Sequence, residues 1–234
     1  MERARERLTA GDPHGTVVIA EYQSAGRGRG AARSWAAKPG SSLLFTVLLR
    51  LETVSSRSEP PARFGLTPLV VGLGVAEAVE SWTAEPVRLK WPNDLYLRDR
   101  KLAGVLCRYR DNAVLAGVGV NCNQRGFPPE IKGRAIALRE MWGGPVARYK
   151  LFVDILARLQ VHLKREERFG PAMLAAVNDR LYMRGCEVSF RAPDGKVVGG
   201  TVIEADSDGR LVLENGSGER RNYISGEILV GRRP

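Results

Sequence analysis

Three turn dipeptides, Asp194-Gly195, Asp208-Gly209 and Asn215-Gly216, cut the chain after Gly185 into pieces too short for helices. Asp-Gly and Asn-Gly supply the positive φ that tight hairpin turns need. Between them Val188-Ser189-Phe190, Val197–Glu204, Leu211–Leu213, Tyr223 and Ile228–Val230 read as short strands. Strands this short, joined by hairpins, close into a small antiparallel barrel, so residues 184–234 are expected to form a unit separate from residues 1–183. The length of 234 residues suits one domain plus such a module.

The preceding part alternates strands and helices. Residues 2–10 read as a helix ending near Gly11, with Pro13 beyond it. Residues 16–23 and 43–51 are β-branched or apolar runs and read as strands. Residues 66–82 form a buried helix. Val87–Trp91 is a strand entering the turn Pro92-Asn93-Asp94, and Asp94–Arg100 continues into a strand and turn. Lys101–Tyr109 and Ala113–Asn121 make a hairpin bent at Asp111-Asn112. Residues 124–147 are loop-rich, with a short helix near Leu138–Met141. A helical stripe runs through 149–168, and a last helix through Pro171–Met183.

The net charge of +10 sits entirely in residues 1–183, because residues 184–234 hold eight basic and eight acidic residues. A basic surface favours an acidic partner: nucleic acid, a phosphorylated ligand or an acidic protein. No run of 18 uncharged apolar residues occurs, and the start, Met1-Glu2-Arg3-Ala4-Arg5, is too charged for a signal peptide. Neither a membrane span nor a membrane partner is expected, and the setting is cytoplasmic. Cys107, Cys122 and Cys186 are odd in number and widely spaced, so they form neither a disulfide framework nor a metal pattern. With only His14 and His162, histidine-metal and Ser-His-Asp chemistry are poorly supported.

The chemistry lies elsewhere. Gly26-Arg27-Gly28-Arg29-Gly30 follows the first strand, and no acidic residue lies between Glu21 and Glu52. Glycine lets backbone approach a ligand, and arginine forks match phosphate and carboxylate oxygens. A dinucleotide fold is rejected, since Arg33, Trp35, Pro39 and Gly40 follow where an apolar helix must begin. There is no G-x-x-x-x-G-K-[ST]. Lys90-Trp91-Pro92-Asn93-Asp94 ends a buried strand, where a lysine calls for an anion. Lys101-Leu102-Ala103-Gly104-Val105-Leu106 and Gly117-Val118-Gly119-Val120-Asn121 add glycine-lined strands. A site rich in cations and lacking a nucleophile suits activation of a carboxylate by a nucleotide.

In this order the motifs, with Ala20-Glu21-Tyr22-Gln23, Trp35 and Gly226-Glu227-Ile228, resemble the biotin–protein ligase family over about residues 10–232. The resemblance implies an α+β fold: a mixed β-sheet flanked by helices, as in class II aminoacyl-tRNA synthetases, with a C-terminal SH3-like barrel. It implies that biotin and ATP, with Mg2+, give biotinyl-5′-AMP, and that biotin passes to a lysine of a biotin carboxyl carrier protein domain. Carried over by position, Gln23, Gly26, Arg27, Lys90, Gly104 and Gly119 hold biotin, and Lys90 also reaches the α-phosphate. Arg29 closes over the intermediate, and Trp35, Asn93 and Asn121 face the nucleotide. Lys90 and Arg29 are the expected catalytic residues, and no metal ligands are assigned. The family's Ser-Thr-Asn before the first strand has no counterpart, and the Gly/Arg loop is about one residue longer than usual. Only about 15 residues precede the first strand, too few for a helix-turn-helix, so DNA is not an expected partner. The protein is expected to act as a monomer or homodimer. Open alternatives are a lipoate or octanoate ligase or transferase, a catalytically impaired biotin- or carrier-binding relative, and a basic nucleic-acid module.

Overall fold

The computed structural model describes residues 1–26, 28, 35, 37–50, 64–164 and 170–232. Six strands form the larger sheet: β1 (Val17–Ala20), β2 (Ser42–Arg50), β3 (Arg88–Lys90), β4 (Asp94–Leu97), β5 (Arg100–Arg110) and β6 (Ala113–Asn121). Their order is β1-β2-β6-β5-β4-β3, and every ladder is antiparallel. Parallel pairing enters at isolated bridges such as Leu89 to Leu181 and Lys101 to Ala135. β2 and β6 are central, which is why both are apolar along nearly their whole length.

Side chains alternate across a strand, so the two faces are read from residue parity. Phe45, Val47, Val114 and Ala116 face the main core. That core is built with α2 (Thr67–Thr83), α4 (Arg148–Lys164) and α5 (Pro171–Asp179). Leu48, Ala113 and Leu115 face the other way and meet Ala4 and Leu8 of α1 (Glu2–Thr9). α3 (Leu138–Trp142) is a short helix in the loop-rich stretch. The segment Phe64–Thr83 is apolar enough by length and composition to cross a membrane, and 67% of its most apolar window is buried inside the protein. Its apolar character is explained by its place between the sheet and α4.

α5 stops at Asp179, four residues short of the expected Met183. Beyond it the chain pairs with β3: Tyr182 N–H donates to Leu89 O at 2.9 Å, and Leu89 N–H to Arg180 O at 2.8 Å. Met183 has φ +64°. Sheet hydrogen bonds replace the helical ones that local periodicity suggested.

The second sheet holds β7 (Glu187–Arg191), β8 (Val197–Ala205), β9 (Leu211–Glu214), β10 (Arg220–Tyr223) and β11 (Glu227–Arg232), in order β10-β9-β8-β7-β11. It is tied to the first unit at two buried points. Trp91 Nε1 donates to Gly209 O at 2.9 Å, and the Asn178 amide exchanges hydrogen bonds with Ala205 N–H and C=O at 2.8 and 3.0 Å. Gly209, at φ +78°, packs directly on Gly65, where a side chain on either residue would strike backbone.

Candidate active site

The cavity lies on the α1 face of the larger sheet and encloses about 510 Å³. Its floor follows from the same parity. Leu44 and Thr46 of β2 share the face of Leu48, and Gly117 and Gly119 of β6 share that of Leu115. Gly104 pairs with Gly119 across β5 and β6, so adjacent bare backbones form a shallow seat. Gln23 and Gly26 border it on one side, Asn93 and Asp94 on the other. The Asn93 amide donates to Val105 O at 2.6 Å, fixing the turn on β5.

Lys101 is one of the cations that line the cavity. Its Nζ lies 2.7 Å from Asp94 Oδ1, and its chain runs beside Gly104. In a regular strand Lys101 and Gly104 would face opposite sides. The register between β4 and β5 shifts, since Leu95 pairs with Ala103 and Tyr96 with Lys101, leaving Leu102 extra. This bulge turns Lys101 to the side of Gly104. Lys101 backbone is clamped too: its N–H donates to Arg134 O at 2.8 Å, and its carbonyl accepts from Ile136 N–H at 3.0 Å.

Of the expected site residues, Gln23, Gly26, Trp35, Asn93, Gly104 and Gly119 line this one cavity. Arg27 and Arg29 lie outside the described residues. Lys90 does not reach the lining. It sits on β3, the sheet edge, two strands from Gly104, and its Nζ donates to Tyr96 Oη at 3.3 Å, 4.9 Å from that ring's centroid. Burial, aided by Asp94, pushes the Tyr96 hydroxyl up to about 12, so it stays neutral beside Lys90. Asn121 is also outside the lining. It is buried, accepting from Gln124 Nε2 at 2.9 Å and donating to Lys101 O at 3.4 Å, and so braces the strand that carries Lys101. Lys101 and Asp94, present in the site motifs but given no role of their own, also line the cavity, as do Met1, Glu2, Arg3 and Arg108 at its α1 end, which sequence reasoning missed.

Burial pushes the Cys122 thiol up to about 12. Among the described residues no three His, Cys, Asp or Glu side chains gather as metal ligands. A glycine seat with an ion-paired lysine at its rim suits a flat group that carries negative charge.

The chain belongs to the biotin/lipoate A/B protein ligase family, whose model matches residues 4–124. It is 33% identical over 208 residues to the biotin–[acetyl-CoA-carboxylase] ligase of Mycobacterium tuberculosis, covering 88% of this chain and 75% of that one. It is 31% identical over 226 residues to the bifunctional ligase/repressor BirA of Escherichia coli, covering 92% of this chain and 66% of BirA. The biotin protein ligase from Aquifex aeolicus in complex with biotin and ATP superposes with a TM-score of 0.80 at 31% identity, covering 98% of this chain and 94% of that one.

Proposed function

We propose that the protein is an ATP-dependent biotin–protein ligase. A biotin carboxylate oxygen attacks the α-phosphorus of ATP, and pyrophosphate leaves with the electrons of the broken P–O bond. The acceptor lysine's amine then attacks the carbonyl of biotinyl-5′-AMP, AMP leaves, and the amine gives up a proton. The observation that carries this reading is Lys101 beside the Gly104–Gly119 seat in one cavity. The seat takes the biotin ring system, and Lys101 meets the carboxylate and the α-phosphate, exchanging Asp94 for the charge that develops there. Arg27 and Arg29 add charge neutralisation, and Asn93 and Trp35 flank the nucleotide. When bound, Mg2+ neutralises the polyphosphate. The lack of a carboxylate cage among the described residues suits an ion held mainly by phosphate and water.

Residues 1–183 carry both half-reactions and residues 184–234 support them. The acceptor is a carboxylase carrier domain, and the basic first unit favours an acidic one. The cytoplasm fits three free cysteines. The test is pyrophosphate release with Mg-ATP, followed by label transfer to a carrier domain. Release that depends on biotin is expected. Equal turnover with lipoate would move the assignment to the family's other substrate class, and no release with either acid would leave a binding protein.

A further inference from the structure

One of the protein's own rings already covers the glycine seat. A Cβ built on Gly119 would meet Trp35 Cε2 at 2.9 Å and Cζ2 at 3.0 Å, and one on Gly104 would meet Trp35 Cζ3 at 3.5 Å. The indole therefore stands directly over both bare backbones. Trp35 N–H donates to Gly26 O at 3.1 Å, and a side chain on Gly26 would strike the Trp35 carbonyl. Lys101 Nζ stands 5.8 Å from the ring centroid. Trp35 Nε1 is buried and has no hydrogen-bond partner among the described residues. A buried donor without an acceptor is unfavourable, so ring–backbone contact and the nearby cation hold the indole, not polar fit.

We propose that Trp35 is an intramolecular occupant of the biotin seat. In the ligand-free protein its indole covers Gly104 and Gly119, and biotin binds only to molecules in which the indole has left. The proposal rests on the biotin reading above. Two flat groups cannot share one floor, so the apparent affinity is the intrinsic affinity scaled by the fraction of molecules with a vacant seat. The unpaired Nε1 gives the indole a reason to leave: any position that offers an acceptor or water is better for that N–H. Trp35 thereby opposes binding of biotin alone, a role separate from flanking the nucleotide later.

The test uses the full chain, with Trp35→Ala and Trp35→Phe, and calorimetric titration with biotin in the absence of ATP. If the indole covers the seat in about nine molecules of ten, Trp35→Ala binds biotin about tenfold more tightly, and Trp35→Phe lies between. Equal or weaker binding by Trp35→Ala overturns the proposal, because the indole is then a wall of the site. A second measurement needs no ligand. The Trp35 indole N–H resonance, assigned by its loss in Trp35→Phe, should exchange slowly with solvent in the free wild type, and exchange at the rate of an exposed indole also overturns the proposal. Slow exchange in a wild type that binds no biotin, with Trp35→Ala equally inert, would remove the substrate reading and leave the covered seat standing.

Discussion

Lys101 and Lys90 are eleven residues apart in sequence and close in type, yet the fold treats them differently. Lys101→Ala should abolish most biotin-dependent pyrophosphate release, a loss of roughly 2.7–4 kcal/mol in transition-state stabilisation, the scale of one oxyanion donor. Lys90→Ala should keep most of its rate, since its ammonium is engaged with Tyr96. Steady-state rates of the two variants, with melting curves to check folding, decide it. A Lys90 variant as inactive as Lys101→Ala would restore the role expected from sequence. The glycines of the seat were legible, because Gly104 and Gly119 lie in runs of apolar strand where a missing side chain stands out. That Lys101 faces the same side as Gly104 was not legible. Strict alternation puts it on the face opposite Gly104, and only the extra residue Leu102 reverses that. A bulge leaves no compositional mark, so period-two reasoning fails at the position where it mattered most.

Elements with long apolar runs or clear turn chemistry were legible. The hairpin around Asp111-Asn112 forms with both residues at positive φ, 49° and 58°, and α2 lies where its small apolar residues predict. Ends decided by distant partners were not legible. α5 gives up its last turn because β3 offers Arg180 and Tyr182 better hydrogen bonds. The turn after β3 had a hidden task as well. Trp91-Pro92 read as the entry to a turn, and Trp91 is also the peg on which the second sheet hangs, 2% exposed and 6.0 Å from the Phe190 ring centroid. Trp91→Phe should destabilise the protein by about 1–3 kcal/mol, because Gly209 O loses its buried donor. Chemical denaturation would show it, and an unchanged midpoint would mean that water replaces the indole.

Across the molecule, one carboxylate, Asp206, braces the turn of the second sheet that meets the first unit. Burial alone would raise the Asp206 pKa, but hydrogen bonds from Arg210 N–H, its guanidinium, Asp208 N–H and Asn222 hold it below the usual 3.8. A depressed carboxylate stabilises the fold above its unfolded pKa and loses that contribution as pH falls through the folded value. Asp206→Asn should therefore be less stable than wild type at pH 7 by about 1 kcal/mol. The gap should close as pH drops below about 3.8. Melting temperatures of both proteins across that range test it, and a gap independent of pH would assign the effect to packing. The turn from Asp206 to Arg210 carries Gly209, which grips Trp91, and two residues beyond Trp91 the chain enters the cavity wall at Asn93 and Asp94. The barrel's peg, Trp91, and the counter-ion of Lys101, Asp94, are thus borne on a single short corner of chain. The small C-terminal unit works like the abutment of an arch: none of its described residues lines the cavity, yet the stone that frames the opening rests on it.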